Sequence, residues 1–161
     1  MGSITTSSLV VVGIVLGVAG CARAHVSPLA PPPYRMEIDA SYDTTWKALV
    51  QALARENVPL RAIARDSGVI ASDEFISPIG LYADCGRVGD DRVEGEAMVS
   101  FTLFARPDGD HTRLQINSKM RSHLQRKGAS GKLKPSPVYA CASTNRFEAN
   151  LFDAVRELVR E

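Results

Sequence analysis

The chain has 161 residues, 45% of them apolar and 23% charged, and a formal net charge of +1. That composition excludes wholesale disorder, and near-neutrality excludes a strongly basic nucleic-acid-binding domain. The charge is nonetheless uneven. From His111 to Phe147 there is no Asp or Glu, while Arg113, Lys119, Arg121, Arg126, Lys127, Lys132, Lys134 and Arg146 give that stretch +8 and leave −7 for the remainder. Asymmetry of this kind marks either a solvated loop or a surface for an anionic partner.

Leu9 to Gly20 carries no charged side chain, and small residues precede Cys21. An apolar run of about 7–15 residues ended by small residues is the pattern of a secretory signal, too short to serve as a permanent bilayer span. The preceding Met1–Ser8 has no Lys or Arg. Val18-Ala19-Gly20-Cys21 resembles a bacterial lipobox. The resemblance implies that residues 1–20 are a lipoprotein signal peptide and that Cys21 receives a diacylglyceryl group. Ala22, rather than Asp, follows. By resemblance to enterobacterial sorting, this implies the outer membrane, with the domain facing the periplasm from the inner leaflet. Residues 21–33, with Pro28 and Pro31 to Pro33, read as an extended tether of about 3 Å per residue that holds the domain off the membrane. Residues 34–161 are the right length for a single domain.

That domain opens with Tyr34, Met36, Ile38 and Ala40 alternating against Arg35, Glu37 and Asp39, the period of a half-buried strand. Asp43 or Ser41 then caps a helix whose Trp46, Leu49, Val50 and Leu53 share one face, ended by Asn57 and Pro59. Leu60–Arg65 and Val69–Ile76 flank the turn Asp66-Ser67-Gly68 and predict a hairpin. Ser77–Gly95, with four glycines, reads as a long loop holding Cys85. Glu96–Arg106 and Thr112–Met120 alternate again around a Pro-Asp-Gly-Asp turn. Their register turns Arg113, Gln115, Asn117, Lys119 and Arg121 to one outward face. After a second loop, about Gln125–Tyr139, a final helix buries Phe147, Leu151, Val155, Leu158 and Val159. Thr144 or Asn145 caps it, and Asn145 with Glu148 resembles a capping box. The order β-α-β(4)-α, with two helices on one face of a mostly antiparallel sheet, predicts a two-layer α+β domain.

Cys85 and Cys141 remain after Cys21 is set aside. In an oxidising envelope compartment the simplest reading is a disulfide, and a catalytic thiol at Cys85 is the alternative. His25, His111 and His123 have no partners at metal-ligand spacing, so no metal site is expected. Lys127–Lys132 lacks the glycine and hydroxyl positions of a phosphate-binding loop. Asp73 and Glu74, adjacent on a strand, are expected to point to opposite faces, and the other acidic pairs read as solvated charges. No catalytic residue and no cofactor is assigned, and the chain reads as a non-enzyme.

Tyr42-Asp43-Thr44-Thr45-Trp46-Lys47-Ala48-Leu49, followed by Asp66-Ser67-Gly68-Val69-Ile70-Ala71-Ser72, resembles a module of BamC-type envelope lipoproteins. In that module a capped, Trp-bearing helix leads into a hairpin. The resemblance implies a helix-grip, TBP-like domain that acts through protein–protein contacts in outer-membrane assembly. The expected function is a membrane-anchored, non-catalytic binding module for an envelope protein or anionic polymer, with no nucleic-acid partner. Its expected surface is Arg113, Lys119, Arg121, Arg126, Lys127, Lys132 and Lys134. The alternative is a lipid or small apolar ligand held in a helix-grip cavity lined by Trp46, Phe101 and Phe147.

Overall fold

Two antiparallel strands of thirteen residues each, Glu96–Asp108 and His111–His123, form the spine on which the rest of the chain is laid. The structure is a computed structural model and describes residues 24–123, 126–127, 133–134 and 138–161. In chain order the strands are β1 (His25–Val26), β2 (Tyr34–Ile38), β3 (Leu60–Ala64), β4 (Val69–Ser72), β5 (Phe75–Pro78), β6 (Ala83–Asp84), β7 (Arg87–Val88), β8 (Asp91–Arg92), β9 (Glu96–Asp108), β10 (His111–His123), β11 (Arg126–Lys127), β12 (Leu133–Lys134) and β13 (Val138–Ser143). The helices are α1 (Tyr42–Arg55) and α2 (Arg146–Arg160).

One edge of β9 is covered by β4 and β5 in succession, with β3 outside β4. The free edge of β10 is shared end to end: β2 pairs with Thr112–Ile116 and β13 with Met120–His123. Alternation in β9 and β10 is strict, so Ala97, Val99, Phe101, Leu103 and Ala105 face inward with Leu114, Ile116 and Met120. Both helices lie on that inner face. Trp46, Leu49 and Leu53 of α1 join Phe147, Leu151, Phe152 and Val155 of α2 and the inward sheet residues in one core. The two-layer α+β architecture is the one the order of elements predicts.

Local chemistry fixes the boundaries. Ser41 is the cap of α1, its hydroxyl accepting from the Thr44 N–H, while Asp43 lies in the first turn and binds Arg65 at 2.6 Å. At the other end Val58 N–H bonds Leu53 C=O and Asn57 N–H bonds Ala54 C=O, with Asn57 at φ 51°. That is a Schellman closure, in which the residue after the cap takes the left-handed conformation that Asn tolerates. In the following hairpin, Gly68 has φ 68°, and a Cβ there would sit 2.0 Å from the Ala105 carbonyl oxygen. Only glycine lets the turn lie against β9.

The structure departs from the sequence expectations in five places. Ser77–Gly95, expected as a long loop, contains the short strands β6, β7 and β8, of which β7 pairs with both β1 and β8. Asp73 and Glu74 are not on a continuous strand. Ala71 opposes Thr102 and Phe75 opposes Val99, so four steps on one strand match three on β9, and the surplus residue is accommodated as a bulge. The Ser72 hydroxyl accepts the Phe101 N–H there, which satisfies a donor that the broken ladder would otherwise leave unpaired.

The capping box on α2 is absent. Asn145 takes φ 62° and makes no side-chain cap, and Glu148 is directed inward instead. Part of the presumed second loop is a strand, β13, whose place depends on its pairing with β10.

The segment before Tyr34 is not a free tether. From Ala24 onward it is a strap against the domain. His25–Val26 pairs with Arg87–Val88, His25 Nε2 lies 2.8 Å from Cys85 O, and the His25 ring is 4.0 Å from that of Tyr139. Gly86 at φ 78° permits this approach, since a Cβ there would meet Val26 O at 1.9 Å.

Candidate functional site

Both helices pack on the inner face of the sheet, and the outer face collects the cationic residues of β2, β9 and β10. Arg113, Gln115, Asn117, Lys119 and Arg121 alternate outward along β10, as their spacing predicts. Antiparallel register sets Arg106, Phe104, Thr102, Ser100 and Met98 of β9 opposite them in turn. On the other side, β2 places Glu37 opposite Arg113 and Arg35 opposite Gln115. The result is an open groove of about 620 Å³ lined by Phe104, Gln115 and Asn117, with Arg35, Arg106, Arg113 and one carboxylate, Glu37, as its charged residues.

The cations of this face are not equivalent. Arg113 is paired with Asp108, and Arg121 is held by Glu74 at 2.7 Å. Arg35 is oriented by a hydrogen bond, its Nε donating to Gln115 Oε1 at 2.9 Å. Arg35, Arg106 and Lys119 have no carboxylate partner among the described residues. The sequence pointed to Arg113, Lys119 and Arg121, and the structure does put them on one face. The side chains of Arg126, Lys127 and Lys134, and all of Lys132 and Cys21, lie outside the described residues; β11 and β12 are a two-stranded ribbon by backbone pairing.

Arg35 and Arg106 are the residues that sequence reasoning missed. Each sits on the polar side of an alternating strand, so its exposure is legible. Its position beside Arg113 follows from sheet register alone.

Cys85 and Cys141 form a disulfide, with Cα atoms 4.2 Å apart and a sequence separation of 56. This is the pairing the sequence predicts, and it sets aside the alternative of a catalytic thiol at Cys85. Around the bond lies a second apolar cluster of Ala83, Val93, Ala97, Val99 and Met120. The long 77–95 loop thus roofs the end of the inner sheet face, and the disulfide ties that roof to β13.

Trp46, Phe101 and Phe147 are buried, and the rings of Phe101 and Phe147 stand 5.3 Å apart between centroids. They fill the space between sheet and helices, which weighs against a ligand held there.

Glu148, in the first turn of α2, is 2% exposed and accepts hydrogen bonds from Ser118 Oγ at 2.5 Å and Ser143 Oγ at 2.8 Å. Ser143 Oγ also accepts the Asn145 N–H at 2.9 Å. The carboxylate therefore plugs the gap where β2 stops and β13 begins along β10. Among the described residues no group of three or more His, Cys, Asp or Glu is placed to hold a metal ion. No helix among them is long and apolar enough to cross a membrane.

No protein-family model matches the sequence, and neither does any curated protein. The functional reading therefore rests on the residues themselves.

Proposed function

We propose that this chain is a bacterial envelope lipoprotein, anchored through a diacylglyceryl group on Cys21 in the inner leaflet of the outer membrane. Its periplasmic domain is a non-catalytic binding module for an envelope protein or anionic polymer. The relation to BamC-type lipoproteins, and with it a role in outer-membrane assembly, belongs to the same proposal and rests on the helix-and-hairpin motif.

One observation carries the binding reading. The sheet has one face buried under two helices and the other left open, and the open face gathers three arginines, Arg35, Arg106 and Arg113, against a single carboxylate, Glu37, around a groove lined by the Phe104 ring. Arg106 and Arg113 are directly opposed. Like charges in that relation destabilise a sheet; Asp108 offsets Arg113, which leaves Arg106 as the member of the pair that an anionic partner would neutralise. Cationic rims of this kind steer an oppositely charged partner and fix its register. A scaffold of this type needs no perturbed nucleophile or acid–base pair. A second reading, an apolar ligand between sheet and helices, has no comparable support because Trp46, Phe101 and Phe147 pack closely.

Two measurements test the proposal. Intact mass of the membrane-extracted chain is expected to show a protein that begins at Cys21 and carries added acyl mass. Binding of the full chain in detergent to poly-L-glutamate is expected to weaken about tenfold in R35E/R106E/R113E and with added salt. R146E/R156E/R160E on exposed positions of α2 changes net charge equally and is expected to leave binding intact. Equal losses in the two triple variants would reduce the effect to net charge and remove the groove from the account.

A further inference from the structure

We infer that the strap end of the domain lies directly against the bilayer surface, so that the sheet stands away from the membrane with its arginine groove running from the middle to the far end. The inference rests on the lipoprotein reading and goes beyond it. A tether of the kind the prolines suggest would let the domain swing freely. The structure instead docks the chain from Ala24. The Gly89 N–H bonds Ala24 O, His25–Val26 pairs with β7, and His25 lies on Cys85 and Tyr139. Between a lipidated Cys21 and Ala24 there are three residue steps, a reach of at most about 10 Å. An acyl chain in the membrane therefore brings this end of the domain to the headgroups.

The surface presented there suits a lipid boundary. Leu29 is 95% exposed, Val26 63% and Val138 52%. Leu29 and Val26 are on the strap, and Val138 adjoins Tyr139, whose ring meets His25. Large apolar side chains so exposed beside the anchor are covered by insertion at the interface, which adds a second, weaker attachment to the acyl chain. Rigidity comes from the disulfide, because the strap's partners, β7 and Cys85, belong to the loop tied to β13 by Cys85–Cys141.

Register gives the distance to the groove. Tyr139 pairs with Ser122 near one end of β10, and Arg113 lies nine residues back along the same strand. At about 3.3 Å per residue the groove, which runs from Asn117 to Arg113, spans roughly 17 to 30 Å from that end. β2, which continues the strap, runs the same way, since Tyr34 pairs with Ile116 and Ile38 with Thr112. The anchor therefore lies at one end of the sheet, and the groove runs from its middle to the other end.

The test places single tryptophans in the full lipidated chain and reads quenching, relative to the parent chain, in phosphatidylethanolamine–phosphatidylglycerol vesicles carrying brominated phosphatidylcholine. Leu29→Trp and Val138→Trp are expected to be quenched at least threefold more than Asp110→Trp, which sits in the turn between β9 and β10. Val138 decides the matter, because it is on β13 and not on the strap. Quenching of Leu29→Trp alone would mean that the strap swings free and would overturn the apposition while leaving the lipoprotein reading intact. Equal quenching at Val138 and Asp110 would overturn it as well. A chain whose intact mass shows no acyl group would remove the lipoprotein reading and this inference together.

Discussion

Arg106 on β9 and Arg113 on β10 stand directly opposite one another on the uncovered face of the sheet, with Glu37 on the far side of Arg113. Asp108 binds Arg113, and Arg106 has no carboxylate partner among the described residues. Arg106 thus faces a like charge with no carboxylate to offset it. Arg106→Gln is therefore expected to raise stability in urea denaturation, by no more than about 1 kcal/mol, the usual size of a cross-strand pair contribution. The same variant is expected to weaken binding of an anionic polymer. Loss of stability together with unchanged binding would mean that Arg106 supports the sheet.

The disulfide joins the loop that roofs the second apolar cluster to the strand behind it. Replacing both cysteines by serine is expected to cost up to about 4 kcal/mol, the chain-entropy value for a loop of this length, with measured effects commonly smaller. The strap is docked on that same loop, so reduction should also expose Ala24–Pro33 to protease well before the core unfolds. Limited proteolysis with and without reductant reads this directly. Simultaneous cleavage of strap and core would show that the loop has no independent role.

Glu148 takes the proton donors of two hydroxyls in a gap between strands. Glu148→Ala leaves Ser118 and Ser143 without their acceptor and removes the plug, at an expected cost of about 2–3 kcal/mol. Glu148→Gln keeps an acceptor of the same shape and is expected to cost less. Thermal melts of the two variants separate the roles of charge and shape.

The hairpin turn depends on two contacts. Gly68→Ala forces a Cβ to within 2.0 Å of Ala105 O and holds alanine at φ 68°, with an expected loss of about 2–3 kcal/mol. Tyr42 O–H donates to Arg65 O beside this turn, and burial raises the phenol above its usual value of 10.0, with Arg65 opposing and Asp66 and Asp43 adding to the rise. A raised acid is stabilising while it keeps its proton. Its contribution is complete below about pH 10 and is lost as pH climbs through the higher folded value. Tyr42→Phe is expected to lower stability slightly at neutral pH and to blunt the decline at alkaline pH, as a pH series of denaturation midpoints would read.

Much of the fold was legible because β9, β10 and both helices carry long, clean periodicities that tertiary packing reinforces. The helix ends were legible in part. Ser41 and Asn57 act as their types predict, whereas Asn145 and Glu148 follow the inter-strand gap, which no local pattern encodes. β13 was missed because six residues rich in small side chains have little period of their own, and β10 supplies their partner. The strap was misread for a related reason. Prolines predict an extended chain, and an extended chain is as ready to dock on an edge as to float. The outward cations of β10 could be read by alternation, while Arg35 and Arg106 join them only through register across three strands.

The central claim is that the open, arginine-rimmed face meets the partner. Photo-crosslinking in intact cells tests it most directly, with the reactive residue at Asn117 on that face or at Asp153 on the exposed side of α2. The account predicts a crosslinked species from Asn117 that R35E/R106E/R113E abolishes, and little or none from Asp153. Crosslinking from Asp153 alone, or from Asn117 without regard to the three arginines, would contradict it.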